Sequence, residues 1–453
     1  MSFVQEIKTR LFFLTRKNFV KDAFVLQMAG LVSTGFSILG SIIYARALGV
    51  EGYAIYALIF TFVSIAGIFT NIGTNQTVLT LLPEAYARQD RSKILDILTY
   101  YVKVSLVISL LVGVFFVILG PYLTATLYND SNIGKLARII IFGEIINIFF
   151  GMYVIILQAI RRIKNLAVVE NINKFVFVLI PAGLVLLGYG LGGLVYGYLF
   201  VTVGFLVFTF FSYRLIAKED SLLPSWNEIL KNMFKLDKDV FVYHLKFGIL
   251  IAIDKNLGSL YSILPISILG MYNLEQVAFL KIATSYAALP SVFISKPVSR
   301  LLAVQLPKSK SYSYSILKRD YLRSSVASCA ITSLAALLFI VLVPFLIPYI
   351  YGKQYLPAVF FSYFLLFARM INDLGVGAGP LFRTMNLMRK SIKLNAIMVT
   401  LGTVILFYFI KNYPINISII PIAFWFSVVT LVFFFSGLRE LNKKIKIEQL
   451  TNN

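Results

Sequence analysis

With one cysteine and one histidine in 453 residues, the chain has little of what several kinds of chemistry require. Cys329 alone cannot close a disulfide within the chain, and a Cys-based metal cluster needs several thiolates within reach. No GxxxxGK[ST] run occurs, so ATP is not used as a P-loop protein would use it. No nucleophile triad stands out, and the sequence predicts no catalytic residue, metal or cofactor. His244 is expected as a boundary residue at the cytoplasmic edge of a span. Acidic residues are scarce, 20 against 42 Lys and Arg, and charged residues make up only 14% of the chain. An ordinary water-facing domain carries about 25%.

What the chain has instead is apolar length. Hydrophobic residues make up 59% of it, and the mean hydropathy is +0.84. A bilayer core about 30 Å thick takes about 20 apolar residues per helix. Such segments occur at 23–45, 53–81, 100–120, 137–160, 167–188 and 192–214, and again at 240–264, 276–297, 325–347, 358–382, 392–410 and 416–437. The expectation is an all-α integral membrane protein of twelve spans.

The net charge of +22 does not read as a nucleic-acid surface, because the basic residues are scattered between apolar runs. With both termini inside, and with basic residues toward span ends, Lys174 among them, counted with the adjoining segment, 34 of the 42 Lys and Arg go to the cytoplasm and 5 to outer loops. Basic residues are retained in short cytoplasmic loops, so the count predicts cytoplasmic termini, with attraction to anionic membrane lipids as a secondary effect. Lys255, Lys281 and Arg369 are left within spans.

The expected organisation is a basic, amphipathic cytoplasmic segment at 1–22, a first lobe of six spans at 23–214 and a cytoplasmic linker at 215–239. A second lobe of six spans at 240–437 and a basic cytoplasmic tail at 438–453 complete it. The lobes repeat each other. ALGVEGYAIYAL (47–58) answers to ILGMYNLEQVAFLKIA (268–283), GPYLTATLYND (120–130) to IPYIYGKQYLPA (347–358), and LQAIRRIKNLAVVENINK (157–174) to LFRTMNLMRKSIKLNAI (381–397). Six is an even number, so both copies enter the membrane in the same direction, related by a pseudo-twofold axis along its normal, with a central cleft between them.

Two motifs carry a resemblance to a known family. YARALGVEGYAIYAL (Tyr44–Leu58) is similar to the first-span ending of the polysaccharide-exporting, O-antigen flippase (Wzx-type) branch of the multidrug/oligosaccharidyl-lipid/polysaccharide exporter superfamily, with Ala54 in place of a glycine. PYIYGKQYLPA (Pro348–Ala358) resembles that family's turn after the ninth span. The resemblance implies a bacterial inner-membrane flippase. It would carry undecaprenyl-diphosphate-linked oligosaccharide from the cytoplasmic to the outer leaflet by alternating access. A polysaccharide polymerase and chain-length regulator are implied as partners, and H+ or Na+ as a coupling ion.

An ionisable side chain inside a span costs about 2.5–3.5 kcal/mol on insertion scales, so it faces water or a partner. Lys255 is followed at helical spacing by Ser259 and Ser262, and Lys281 by Ser285. Both lysines and Arg369 are candidate substrate contacts, with Asp254 or Glu275 as alternative structural partners for the lysines. Arg369 and Asp373 have the i, i+4 spacing of an ion pair, and Glu144 is a second possible partner for Arg369 across the lobes. Arg46 is expected as an anchor at the outer end of the first span. In the first lobe the stripes are neutral: Ser33 and Ser37 on one span, Ser64, Asn71 and Asn75 on the next, all suited to sugar hydroxyls. Cations opposite hydroxyls and amides fit a diphosphate with a glycan. A cation-coupled drug antiporter would favour buried carboxylates, and a membrane glycan polymerase or ligase would need a longer outer loop than the roughly 16 residues available here.

Overall fold

A computed structural model describes residues 17–234, 238–292 and 295–452. Residues 1–16 of the basic N-terminal segment and 235–237 of the linker lie outside the described residues. All regular structure among the described residues is helical, as lipid demands: a helix satisfies its own backbone groups where no water can.

The elements in order are α1 (Lys17–Thr70), α2 (Thr74–Ala87), α3 (Arg91–Tyr128), α4 (Ser131–Ala159), α5 (Ile163–Leu184), α6 (Gly190–Glu219) and α7 (Trp226–Asn232). They continue with α8 (Lys238–Gly270), α9 (Leu274–Val292), α10 (Ser295–Tyr312), α11 (Tyr314–Tyr351), α12 (Pro357–Asn372), α13 (Ala378–Thr384), α14 (Met388–Asn412) and α15 (Ile419–Asn452). Nine stretches of described residues are long and apolar enough to cross a membrane. Val25–Thr70, of 46 residues, takes in most of the first expected span and the second as far as Thr70, and Ile163–Glu219, of 57, takes in the fifth and sixth, each with the turn between. The expected eighth span falls on the 19 residues of α9, which is not among the nine.

Local chemistry explains the turns. Inside α1 the backbone leaves the helix at Gly49, with φ 71° and ψ −175°, a conformation open to glycine at little cost. The Leu-Gly step of the first motif is therefore the bend between two spans. Outward faces carry the apolar residues. On α11, Leu334, Leu338, Val341 and Phe345 are exposed, while Ser325, Ser328, Thr332 and Ala336 are buried. Small and hydroxyl residues inside and large apolar ones outside is the pattern of helices packed in lipid, where close backbone approach replaces the hydrophobic drive.

The described residues form two compact units. Of the described residues, one comprises those up to Gly40, Thr74–Leu110 and those within Phe142–Leu245; the other comprises Ser41–Gly73, Leu111–Ile141 and those from Lys246 onward. The first unit is built around Val78, Leu82, Ile94, Ile97, Ile156 and Leu157. Its linker segment is ordered around α7. Ser225 and Glu228 form a capping box, Arg91 pairs with Glu228 at 2.7 Å, and Trp226 packs among Phe149, Phe210 and Tyr213. In the second unit α12 packs against α9, α11 and α15, while Leu302, Leu306, Tyr321, Leu381 and Phe434 make a separate core.

Candidate functional site

The second unit contains a cavity of about 320 Å³. Phe60, Thr61 and Ser64 reach it from α1, Ser262 and Ile266 from α8, Lys281 and Thr284 from α9, Arg369 and Asn372 from α12, and Phe426 from α15. Among the described residues that line it, none is acidic. The cavity hydroxyls are already oriented: Thr61 donates to Ala57 O, Ser64 to Phe60 O, Ser262 to Ser259 O and Thr284 to Lys281 O, all at 2.7–2.9 Å. A hydroxyl has one proton and two lone pairs, so these four present acceptor oxygens. Donors for an anionic guest come from Lys281 and Arg369.

Arg369 is only partly engaged. Its guanidinium donates through Nη2 to Ser291 Oγ, and Nε, buried, has no hydrogen-bond acceptor among the described residues. The expected pair with Asp373 is present but long, 4.0 Å from Nε to Oδ1. Asp373 is itself 3% exposed, and its other oxygen accepts from Ser295 and Thr332. The carboxylate is thus held mainly by hydroxyls, and Arg369 lines the cavity with its guanidinium bonded to a hydroxyl.

The other candidates are placed differently. Lys255 is exposed on α8 and does not line the cavity, nor does Ser259. Among the described residues neither Lys255 nor Lys281 forms an ion pair, so neither the Asp254 nor the Glu275 partnership appears. Asp254 instead accepts from Ser391 Oγ at 2.6 Å and Asn395 Nδ2 at 3.0 Å, and Asn395 Oδ1 accepts from Tyr261 at 3.0 Å. Arg46 donates to the carbonyls of Ile350 and Tyr349. In the first unit, Glu144 accepts from Tyr198, Ser37 donates to Ser33 O at 3.0 Å, and Asn75 is exposed. His244 is 3% exposed, packed 5.0 Å from the Tyr100 ring centroid.

Asn71 is taken up by a break in its helix. The expected second span does not run as one helix: α1 ends at Thr70 and α2 begins at Thr74, so Ser64, Asn71 and Asn75 do not form one continuous stripe. Asn256 on α8 donates to Ile68 O at 2.9 Å and Asn71 O at 2.8 Å, and accepts from Asn71 Nδ2 at 2.9 Å. One amide thereby satisfies carbonyls that the broken helix leaves open. Gly73 makes the crossing possible, with φ +96° and no side chain where the Gly248 carbonyl approaches.

Asn256, Ser291, Phe60 and Phe426 do not emerge from the sequence as site residues. Only Asn256 carried a signal, being an amide beside Asp254 and Lys255 in an apolar run. Lys174, counted there among the cytoplasmic basic residues, lies within α5, about 16 Å from its start at Ile163 by helical rise.

Comparison with known proteins follows the same lines. Residues 19–303 match the family described as "Polysaccharide biosynthesis protein". A stretch of 119 residues is 26% identical to Stage V sporulation protein B of Bacillus subtilis (strain 168), spanning 26% of this chain and 23% of that protein. The fold is similar to an inward-facing multidrug resistance MATE family transporter of the MOP superfamily, with TM-score 0.63 and 17% identity over 94% of this chain and 99% of that one. A MATE transporter in the bent conformation gives TM-score 0.60 and 19% identity over 95% and 96%. Both likenesses extend over nearly the whole chain, which establishes a multi-pass membrane protein with a transporter fold.

Proposed function

Because the chain belongs to the polysaccharide biosynthesis protein family and has the fold of MATE-type transporters, we propose that it is a flippase for polyprenyl-diphosphate-linked oligosaccharide. It works by alternating access in the bacterial cytoplasmic membrane. The observation that carries this reading is a cavity with no carboxylate among its described lining residues, in which Lys281 and Arg369 stand beside acceptor hydroxyls and two phenyl rings. A diphosphate takes the cations, with Lys281 and Arg369 giving its oxygens charge-assisted hydrogen bonds. Sugar hydroxyls donate to Ser64, Thr61, Ser262 and Thr284, and the phenyl rings of Phe60 and Phe426 lie against ring C–H faces.

Lys255 lies about 10 Å along α8 from Ser262 and meets the headgroup on its way in. Ser33, Ser37, Asn71 and Asn75 supply further polar contacts for the glycan, and the lipid tail stays in the bilayer. The lobes at 23–214 and 240–437 rock about the cargo. With both termini cytoplasmic, an inside-negative potential favours outward movement of an anion by about 2.3 kcal/mol per charge per 100 mV.

The test is export of surface glycan by a strain carrying Lys281→Ala with Arg369→Ala. The double variant should still insert in the membrane yet lose export, with lipid-linked oligosaccharide retained on the inner leaflet. Export at the parent rate would sink the proposal, and cation-coupled dye efflux with surface glycan unchanged would point to drug antiport instead.

A further inference from the structure

The two segments that carry the family resemblance, Tyr44–Leu58 and Pro348–Ala358, are packed on each other. Arg46 Nε donates to Ile350 O at 2.7 Å, across 304 residues of sequence, and Nη2 donates to the Tyr349 carbonyl. These carbonyls belong to the last turn of α11, whose C-terminal oxygens have no partner within the helix and form its negative pole. Arg46 is thus a capping cation supplied from another part of the chain. A few residues away, Tyr355 donates to Ala45 O at 2.8 Å, and its ring meets Tyr53 edge-on with centroids 6.2 Å apart.

Close contacts also join α3 to α8 and α8 to α1. Tyr128 and Ser267 hydroxyls are 2.7 Å apart, and Gly270 lies so near Leu58 that an added methyl would be 2.5 Å from its side chain. The helix that carries the first motif continues into the cavity lining. Tyr53, Tyr56, Phe60 and Ser64 fall at i, i+3 or i+4 steps on one face of α1, and Phe60 and Ser64 line the cavity. Ile266, beside Ser267, lines it as well.

We propose that the contact between the two motifs is a latch. It closes the cavity on the side that the basic-residue count assigns to the outside, and it must open before any cargo leaves. Its chemistry suits a reversible closure. Arg46 is exposed, so water takes over its donors when the carbonyls leave, and no buried charge is stranded. The Tyr355 hydroxyl bond is buried with its ring and holds the dry side. The latch does not depend on the nature of the cargo.

The experiment uses the full chain with Cys329→Ser, which removes the only cysteine, and Ser64→Cys as a reporter in the cavity. Labelling is by a membrane-impermeant maleimide added outside spheroplasts. Arg46→Ala and Tyr355→Phe should each raise the initial labelling rate roughly tenfold, the equivalent of about 1.4 kcal/mol and within the range of one hydrogen bond. Lys353→Ala, which removes an exposed charge in the same turn, should leave the rate unchanged. Tyr355→Phe removes one oxygen and keeps the ring, so it carries the test should Arg46→Ala fail to elute as folded protein. Parent rates in the folded latch variants would overturn the proposal. An equal rise with Lys353→Ala would overturn it too.

Discussion

Adding one methyl group at Gly73 should destabilise the protein by about 3–4 kcal/mol, in proportion to two terms. The new Cβ would lie 2.4 Å from the Gly248 carbonyl oxygen and 2.9 Å from its Cα. Both are backbone atoms, so no side-chain rotation relieves the overlap. The two segments must separate by about 0.6 Å to reach the 3.0 Å that real contacts respect. A residue with a Cβ at φ +96° costs about 1–2 kcal/mol by itself. Separation also stretches the three Asn256 hydrogen bonds, at 2.8–2.9 Å, and such bonds average about 0.6 kcal/mol each in a bilayer.

Two other glycines separate these terms. Gly49 has φ +71° with no atom within 4 Å, so Gly49→Ala should cost only the backbone contribution. Gly67 is helical with open space around it, and Gly67→Ala should be neutral or stabilising by about 0.5–1 kcal/mol. The assay is SDS titration in mixed micelles, followed by the fluorescence of Trp226 and Trp425. A Gly73→Ala variant no less stable than Gly49→Ala would refute the reasoning, because the clash with Gly248 would then be absent.

Gly402→Ala should be poorly tolerated for a different reason. Its Cβ would fall 1.9 Å from the Trp425 indole, which is fixed by its bond to Met398 O at 2.8 Å and its edge contact with Tyr261. A cost of about 2–3 kcal/mol is expected for such overpacking, with a red-shifted Trp425 emission; unchanged emission would argue against it. At the linker, the Ser225 backbone N–H, then Arg91 and the Ser225 hydroxyl, hold the Glu228 carboxyl below its ordinary value of 4.5. A depressed carboxylate stabilises above the unfolded pKa and loses that contribution as pH falls through the folded one. Protease resistance of the linker should therefore be flat from pH 8 to about 5 and fall only near and below 4.5, whereas a loss centred above pH 6 would contradict this.

The all-helical membrane class and most of the apolar stretches were legible along the chain, because lipid imposes the same length constraint on every span regardless of its neighbours. Lys281, Arg369 and the Arg369–Asp373 spacing were legible for a related reason: a charge inside an apolar run stands out on its own. What the chain order could not decide was which polar groups meet. Lys281 and Arg369 share a cavity with Ser64, while Lys255 does not line it. Asp254 faces Ser391 and Asn395 rather than the adjacent lysine, Asn256 closes a helix break more than 180 residues away in sequence, and Arg46 caps α11. Each outcome depends on helix rotation and on backbones that approach only after packing. Hydropathy carries no information on either, since the nine described stretches are apolar enough to enter the membrane whichever face they turn inward.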